Sequence, residues 1–351
     1  MCIAYAYPRL DKAHYRLPPL LWITSAVPAN SVHSEEMHHD LTPGWTSHTA
    51  PIPPRVAGMV TERLLGIGGR SAVWLVQCRL PSASAIIWAG PNPPDRLALK
   101  VPLSTGRSSP PLRSAQRELE AMLPLVHEFM VRPWGLVTTA ENQTALLLEA
   151  CTAGSLGQLR RSAGPLSPGQ CVTALTPVAQ ALAHLHERGA AHGDVTAANI
   201  LLTPEGRPAL GDLGDAVLLG MDAAYGTAED DVRALGSVAW GCLTGREPEP
   251  APRRVPLQSL VPGAGDELTE LLEASLSPHP ADRPLAGEFA AELYSAVRAD
   301  PLDLLPAVDD ATLAELPTVL TGSGTGRNGE RFAGRVADLW HRVRRCLRRR
   351  R

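Results

Sequence analysis

The sequence predicts an α+β fold of two lobes, a small β-rich N-lobe followed by a larger, mainly helical C-lobe. Short apolar runs typical of strands fill residues 60–150, with one helical segment among them. Helical spacing dominates after residue 155, and its one interruption is a pair of short strand-like runs at 200–213. A block of strands followed by a block of helices is typical of α+β proteins.

The individual elements follow in chain order. In the N-lobe we expect strands at 64–67, 72–78, 97–103, 131–139 and 144–150, a helix at 114–126, and a loop at 80–96 because it is rich in Pro, Ser and Ala. In the C-lobe we expect helices at 155–163, 167–189, 229–244, 266–276 and 284–298.

Domain boundaries follow from shifts in composition. Residues 1–58 have no sustained period and are interpreted as a disordered extension, or as sequence upstream of a later start at Met59. The body is 59–298, with the N-lobe at 59–150 and the C-lobe at 151–298. An acidic, Gly-rich linker is expected at 299–330 and a basic amphipathic tail at 331–351.

Composition excludes several classes of protein. The 351 residues are 44% hydrophobic and 20% charged, which argues against wholesale disorder. The six cysteines form no CxxC pair, so a disulfide framework or zinc knuckle is not expected and a reducing cytosol is favoured. No run of eighteen apolar residues predicts a transmembrane helix.

A glycine-rich turn separates the first two predicted strands. Gly66, Gly68 and Gly69 precede Ser71, and glycines at such a turn let backbone amides approach a polyphosphate. Alone, this pattern is equally typical of an ordinary hairpin. A strand follows instead of a helix, which disfavours a dinucleotide site.

Two charged residues stand out in the N-lobe. Only two lysines occur in the chain, and Lys100 lies within the apolar run Leu-Ala-Leu-Lys-Val. Such a lysine needs a counter-charge or a ligand. Glu118 on the next predicted helix can pair with it and hold it against phosphate oxygens. The alternative is a surface lysine whose ammonium reaches water.

Three polar residues follow one another at strand ends and loops of the C-lobe. Asp194 and Asn199 lie in the run His-Gly-Asp-Val-Thr-Ala-Ala-Asn, and Asp212 follows the next strand pair. A carboxylate can orient an acceptor hydroxyl and take its proton, and magnesium requires hard oxygen ligands. Each residue alone would more often cap a helix or turn, but their joint spacing favours a site.

Residues 60–298 resemble the bacterial Ser/Thr protein kinase domain. The resemblance rests on the glycine turn, on Lys100 with Glu118, on Asp194 with Asn199 in a loop like H-R-D-x-x-x-x-N, and on Asp212-Leu-Gly, which is similar to D-F-G. It implies a kinase-like fold, ATP and Mg²⁺ as cofactors, and a protein substrate of unknown identity. It also implies that Asp194, Lys100 and Glu118 are catalytic and that Asn199 and Asp212 bind the metal.

The same resemblance assigns further residues. Ser71 stands where the third glycine is usual, and Ser71 and Val73 join the glycines and Lys100 as nucleotide-binding residues. Glu149 and Cys151 lie in the hinge that meets adenine. Supporting roles are implied for three residues: His192, Asp231, whose carboxylate braces the catalytic loop, and Arg283 of the late Arg-Pro motif.

Departures from the family pattern predict weak or atypically regulated catalysis. Gly193 replaces the arginine that pairs with a phosphorylated activation loop, and Thr196 replaces a lysine, a loss of about 2–4 kcal/mol in transition-state stabilisation. Only sixteen residues separate Gly214 from Asp231, and no A-P-E triplet occurs. Arg283 is therefore expected to lack its usual glutamate partner.

These departures keep three functions open. The first is a protein Ser/Thr kinase. The second is a nucleotide-binding pseudokinase that acts as a scaffold. The third is a small-molecule phosphotransferase of the aminoglycoside-kinase type, which the run His-Gly-Asp and the short segment fit.

The C-terminal tail differs in charge from the rest of the chain. Residues 331–351 carry nine arginines and one aspartate, so residues 1–330 carry a net charge of −11. An apolar stripe runs through Phe332, Val336, Leu339, Trp340, Val343, Cys346 and Leu347. We expect a cytoplasmic protein whose tail contacts an anionic membrane surface or docks on the body; nucleic acid is not the expected partner.

Overall fold

The computed structural model describes residues 51–68, 71–80, 86–103, 116, 119–120, 122–213, 217–218, 226–314 and 316. The extension before residue 51, Gly69, Glu118, Gly214 and the tail at 331–351 lie outside the described residues. Glu118 is one of the residues that the structure does not describe, so the expected pair of Lys100 with Glu118 stays a prediction. Among the described residues, no helix has the length and apolar character needed to cross a membrane.

The N-lobe contains one antiparallel sheet of six strands in the order β1-β2-β4-β6-β5-β3. The strands are β1 Met59–Ile67, β2 Ser71–Cys78, β3 Ile86–Trp88, β4 Arg96–Pro102, β5 Pro133–Thr138 and β6 Thr144–Glu149. Alternating side chains of the central strands, such as Trp74, Val76, Leu97 and Leu99, are buried on one face. The described residues 116, 119, 120 and 122 are helical, as the spacing at 114–126 predicts.

One N-lobe prediction was wrong. The segment 80–96 was expected to be a loop, but β3 lies within it and pairs with β5. The pairing is close, because a Cβ on Gly135 would come within 2.2 Å of the Ile87 carbonyl oxygen. A strand of three residues has too short an apolar run to be recognised without its distant partner.

The C-lobe is mainly helical, as predicted. The helices are α1 Leu156–Ala163, α2 Pro168–His186, α3 Ala228–Thr244, α4 Leu257–Leu260, α5 Asp266–Ser275, α6 Ala286–Ala296 and α7 Asp310–Leu313. Four short strands accompany them: β7 Ala190–Ala191, β8 Ile200–Leu202, β9 Pro208–Leu210 and β10 Val217–Leu218. Strands β8 and β9 pair with each other, and β7 pairs with β10.

Helix α2 forms the centre of the C-lobe. Ser167 begins it with a reciprocal capping box to Gln170, and Pro168 occupies the first turn. Leu175, Val178 and Leu182 have no exposed surface. Because α2 packs against α3, α6 and β9, it fixes the loops at both ends of the β8–β9 hairpin.

Residues 300–313, which we name the C-terminal strap, are packed against the body. The expectation of a linker from residue 299 was wrong for this part of the chain. The Asp300 amide donates to the Gly169 carbonyl at 3.0 Å, and Leu304 and Thr312 are 7% and 1% exposed. Aspartates and prolines suggested a linker, but a few buried side chains hold the segment in place.

Candidate active site

Asp231 anchors the loop at residues 192–199. Its carboxylate lies in the first turn of α3 and is 1% exposed. Oδ2 accepts hydrogen bonds from the His192 amide at 2.7 Å and from His186 Nε2 at 2.9 Å, and Oδ1 accepts one from the Gly193 amide at 2.8 Å. Three donors compensate the burial of this carboxylate, which therefore fixes the start of the loop.

A second set of contacts joins the loop to the end of β9. His192 is fully buried, and its Nε2 lies 2.9 Å from the Gly211 carbonyl oxygen. The Gly211 amide donates to the Asn199 carbonyl at 2.8 Å. Asp212 follows Gly211 directly, so these bonds bring Asp212 to the same place as the loop.

Asp194 is oriented by neighbours within its own loop. Asn199 Nδ2 donates to Asp194 Oδ2 at 2.8 Å and to the Asp194 carbonyl at 2.9 Å. The Asp194 amide lies 3.3 Å from His192 Nδ1. The carboxylate is thus held in one orientation, a requirement for a group that must accept a proton from a bound hydroxyl.

Lys100 reaches across from the N-lobe sheet to Asp212. Its Nζ lies 2.9 Å from Asp212 Oδ1, and the two side chains are 18% and 50% exposed. Asp212 has a φ of 60°, in the left-handed region that non-glycine residues rarely occupy. Such backbone strain concentrates at functional sites. Among the described residues, Lys100 is therefore paired with Asp212, the aspartate that the family resemblance predicts to bind the metal.

The metal-binding roles of Asn199 and Asp212 fit their chemistry. With Nδ2 donating to Asp194, the amide of Asn199 presents Oδ1 as its other polar atom. Asp212 is a half-exposed carboxylate. Hard oxygen atoms of this kind are the ligands that Mg²⁺ takes from proteins, usually one or two alongside phosphate oxygens.

The glycine turn connects β1 to β2. The Gly68 amide donates to the Ser71 carbonyl at 2.8 Å, and Val73 lies directly opposite Lys100 in the β2–β4 ladder. A Cβ on Gly66 would meet no atom within 4 Å, and one on Gly68 only the Ser71 carbonyl at 3.6 Å. The packing of the described residues therefore leaves open space over the turn.

The hinge residues have contrasting surroundings. The Glu149 carboxylate pairs with Arg207 in the β8–β9 turn and lies 3.3 Å from the Arg132 amide. The Glu149 amide is engaged as well, since it donates to the Arg132 carbonyl at 2.8 Å. Cys151 is buried, and that burial raises the pKa of its thiol well above the usual range, with Glu149 adding to the shift.

Arg283 has a partner, contrary to the expectation from sequence. Its Nη1 lies 3.1 Å from Asp230 Oδ1 and donates to the Glu229 carbonyl at 3.0 Å, while its Nε donates to the Ser277 carbonyl. The start of α3 thus supplies a carboxylate and a carbonyl as partners for Arg283. Proximity of Asp230 and Arg283 depends on packing between distant segments, which the motif alone does not reveal.

Sequence reasoning missed two residues that support the site. His186 shares the Asp231 carboxylate, and Arg207 holds Glu149. His186 stands in the last turn of α2, where a histidine is common for reasons of helix polarity. Arg207 lies in a polar turn, where an arginine is unremarkable. Neither position carries a local signal.

Comparison with known proteins places these residues in a known family pattern. Residues 94–230 match the family model of the protein kinase domain. The matched region contains Lys100, Asp194, Asn199 and Asp212, and it includes strands and helices from both lobes. The two-lobed α+β architecture is that of the protein kinase fold.

Several curated relatives are bacterial kinases. Serine/threonine-protein kinase PknA of Mycobacterium tuberculosis is 27% identical over 320 residues, 79% of this chain and 69% of that protein. PkaA of Streptomyces coelicolor is 29% identical over 65% of this chain and 48% of its own length. A probable serine/threonine-protein kinase of Corynebacterium efficiens is 30% identical over 42% of this chain. The chain spans 28% of the length of the Corynebacterium protein and 48% of the length of PkaA, which is less than half of each.

Proposed function

We propose that the chain, whose residues 94–230 match the family model of the protein kinase domain, transfers the γ-phosphoryl group of ATP to a serine or threonine hydroxyl of a protein. One observation carries the proposal. Asn199 orients the Asp194 carboxylate in a loop anchored by buried Asp231, and the same loop is bonded to the strand end that presents Asp212 to Lys100.

The proposed reaction assigns each residue one task. The substrate hydroxyl attacks the γ-phosphorus, the new O–P bond forms as the bond to the β-phosphate oxygen breaks, and ADP leaves. Asp194 orients the hydroxyl and accepts its proton. Lys100 donates from its ammonium to phosphate oxygens, and the amides of the glycine turn line the same phosphates.

Magnesium would be held by Asn199 and Asp212 together with phosphate oxygens. When bound, it neutralises the charge of those oxygens. Asp212 would then contact both the metal and the Lys100 ammonium, whose Nζ lies 2.9 Å from its Oδ1.

We propose that the enzyme works without activation-segment phosphorylation. Gly193 supplies no arginine to pair with a phosphate, and its φ of 77° favours glycine at this position. The hydroxyls between Gly214 and Asp231 are those of Tyr225 and Thr227. Thr227 has another task, since it is the N-cap of α3 and accepts from the Asp230 amide at 3.2 Å.

A double variant tests this independence. Tyr225→Phe combined with Thr227→Asn removes both hydroxyls and retains an N-cap acceptor. We expect the phosphoryl-transfer rate to stay within about threefold of the wild type. A matched Thr227→Val variant is expected to cost about 1 kcal/mol of stability through the lost cap. A loss of rate of about a hundredfold in the double variant would refute the proposal.

The short segment between Gly214 and Asp231 keeps a small-molecule phosphotransferase as the second candidate, because the usual platform for a peptide substrate is shortened. An assay with radiolabelled ATP distinguishes the protein kinase from the small-molecule phosphotransferase. The ATP is offered with protein acceptors and, in a separate reaction, with aminoglycoside acceptors. Labelling of protein alone supports the kinase, and labelling of the small molecule alone supports the alternative.

For the tail at 331–351, we propose reversible contact with an anionic membrane surface. Its arginines contribute about 1 kcal/mol each near such a surface. We expect the full-length chain, but not a chain ending at Glu330, to sediment with anionic vesicles and not with neutral ones. Equal sedimentation of both chains, or none at physiological salt, would leave docking on the body as the role of the tail.

A further inference from the structure

The C-terminal strap links the first strand of the N-lobe to the hinge through one buried hydroxyl. Thr312, 1% exposed, donates from Oγ1 to the Thr152 carbonyl at 3.0 Å. The same oxygen accepts from Arg63 Nη2 on β1 at 2.7 Å. Thr152 follows the hinge residue Cys151 directly. The strap thus ties together two parts of the chain that lie 89 residues apart.

Asp309 completes this junction. Its Oδ2 lies 3.0 Å from Arg63 Nη1, and its Oδ1 accepts from the Thr312 amide at 2.7 Å, which begins helix α7. Hydrogen bonds from Thr312 and the nearby Arg63 guanidinium lower the pKa of the Asp309 carboxyl. Asp309 is half exposed, so its ion pair alone stabilises little. The buried hydroxyl of Thr312 is the stronger determinant, because its loss leaves the groups it bonds without that partner.

Strand β1 has few other restraints near this junction. It is an edge strand and pairs only with β2 among the described strands. Irregularities in its register lie on both sides of Arg63, between Thr61 and Arg63 and between Leu64 and Gly66. In the sheet order, β2 and β4 separate β1 from β6, which leads into the hinge. The irregular pairing bends β1 on both sides of Arg63, and the contacts of Arg63 with the strap are a further restraint on the strand at this point.

An open cleft of about 170 Å³ lies at the junction. Leu65 of β1, Cys151 of the hinge and Gln158 of α1 line it, and Val308 and Asp309 of the strap close one side. Leu65 immediately precedes Gly66, and Cys151 is one of the hinge residues expected to meet adenine. The strap therefore forms part of the wall of a cleft that lies between Leu65, next to the glycine turn, and Cys151 of the hinge.

We propose that the C-terminal strap is a positioning element for the nucleotide: through Thr312 it holds β1 and its glycine turn over the hinge and so raises nucleotide affinity. This inference rests on the proposed function, since it presumes that ATP and ADP bind between the glycine turn and the hinge. A turn already held in place loses less conformational entropy when the nucleotide binds, and affinity rises accordingly.

Thr312→Val tests the proposal in the full-length chain, because valine keeps the shape of threonine and removes its hydroxyl. We expect the Kd for ADP with Mg²⁺, measured by calorimetry, to rise about five- to tenfold. Where turnover is measured, KM for ATP should rise similarly with kcat within twofold. A merely structural role would instead reduce the active fraction and lower kcat at unchanged KM.

Two control variants accompany it. Thr312→Ser retains the hydroxyl and should keep the Kd within twofold of the wild type. Glu62→Gln breaks another ion pair of β1, with Arg96 at 2.5 Å, which does not involve the strap. It should also leave the Kd within twofold. Loss of affinity in either control to the same extent as in Thr312→Val would overturn the role of the Thr312 hydroxyl.

Hydrogen exchange without nucleotide gives an independent result. Thr312→Val should exchange faster than the wild type at residues 60–66 and 150–154. A Kd within twofold of the wild type for Thr312→Val overturns the proposal. If the wild type itself binds neither ADP nor ATP, the proposed function fails, and unchanged exchange would then show that Thr312 does not hold β1 either.

Discussion

Asp194→Asn is expected to reduce phosphoryl transfer by about a hundred- to ten-thousandfold while ADP and ATP still bind. A positioned general base contributes about 10²–10⁴ to a rate, and an amide cannot accept the proton. Asparagine keeps an oxygen that can accept from Asn199 Nδ2, as Asp194 Oδ2 does at 2.8 Å. The loop should therefore keep its shape, and the loss should appear in kcat with little change in KM.

Steady-state kinetics and nucleotide calorimetry on the same preparation check this expectation. Asp212→Asn is the matched comparison, because it should weaken the binding of Mg²⁺–ATP, whereas Asp194→Asn should not. An Asp194→Asn variant that retains more than a tenth of the wild-type rate would remove Asp194 from the chemistry. A wild type that binds ATP but transfers no phosphate to any acceptor would make the chain a pseudokinase.

Asp231→Ala is expected to lower the free energy of unfolding by about 3–5 kcal/mol. The change leaves the amides of His192 and Gly193 without the buried carboxylate that now accepts from both. Each buried donor that loses its partner costs about 1–3 kcal/mol, and His186 loses the same acceptor. Such a loss is a large share of the stability of a typical domain.

Urea unfolding of the wild type and the variant measures this cost. Glu229→Ala, a change at an exposed residue of the same helical turn, is the control and should alter stability by less than about 0.5 kcal/mol. If Asp231→Ala lost no more than the control, the loop would not depend on Asp231. Transfer activity should also fall in Asp231→Ala under conditions where the protein remains folded, because the loop that carries Asp194 loses its anchor.

Local patterns in the sequence predicted most elements of the body. The five longer C-lobe helices lie within a few residues of their predicted bounds because 3.6-residue periodicity extends over many residues, as in α2. The four-residue helices α4 and α7 were not predicted, because one turn shows no period. Strand β3 was missed because three residues give too little pattern. The carboxylates, prolines and the run Gly-Ser-Gly-Thr-Gly of residues 299–330 predict a linker, although Leu304 and Thr312 of the strap are buried. Such burial depends on surfaces supplied by residues far away in the chain.

The sequence by itself determined the fold class and the residue types of the candidate site, since both depend on short-range periodicity and on motifs with fixed spacing. Only the tertiary structure decided which of these residues meet. It paired Lys100 with Asp212, gave Arg283 the partner Asp230, and joined Arg63 to Thr152 through Thr312. These pairs are separated by 53 to 249 residues. Contacts over such separations arise from the packing of whole elements, so no local pattern encodes them.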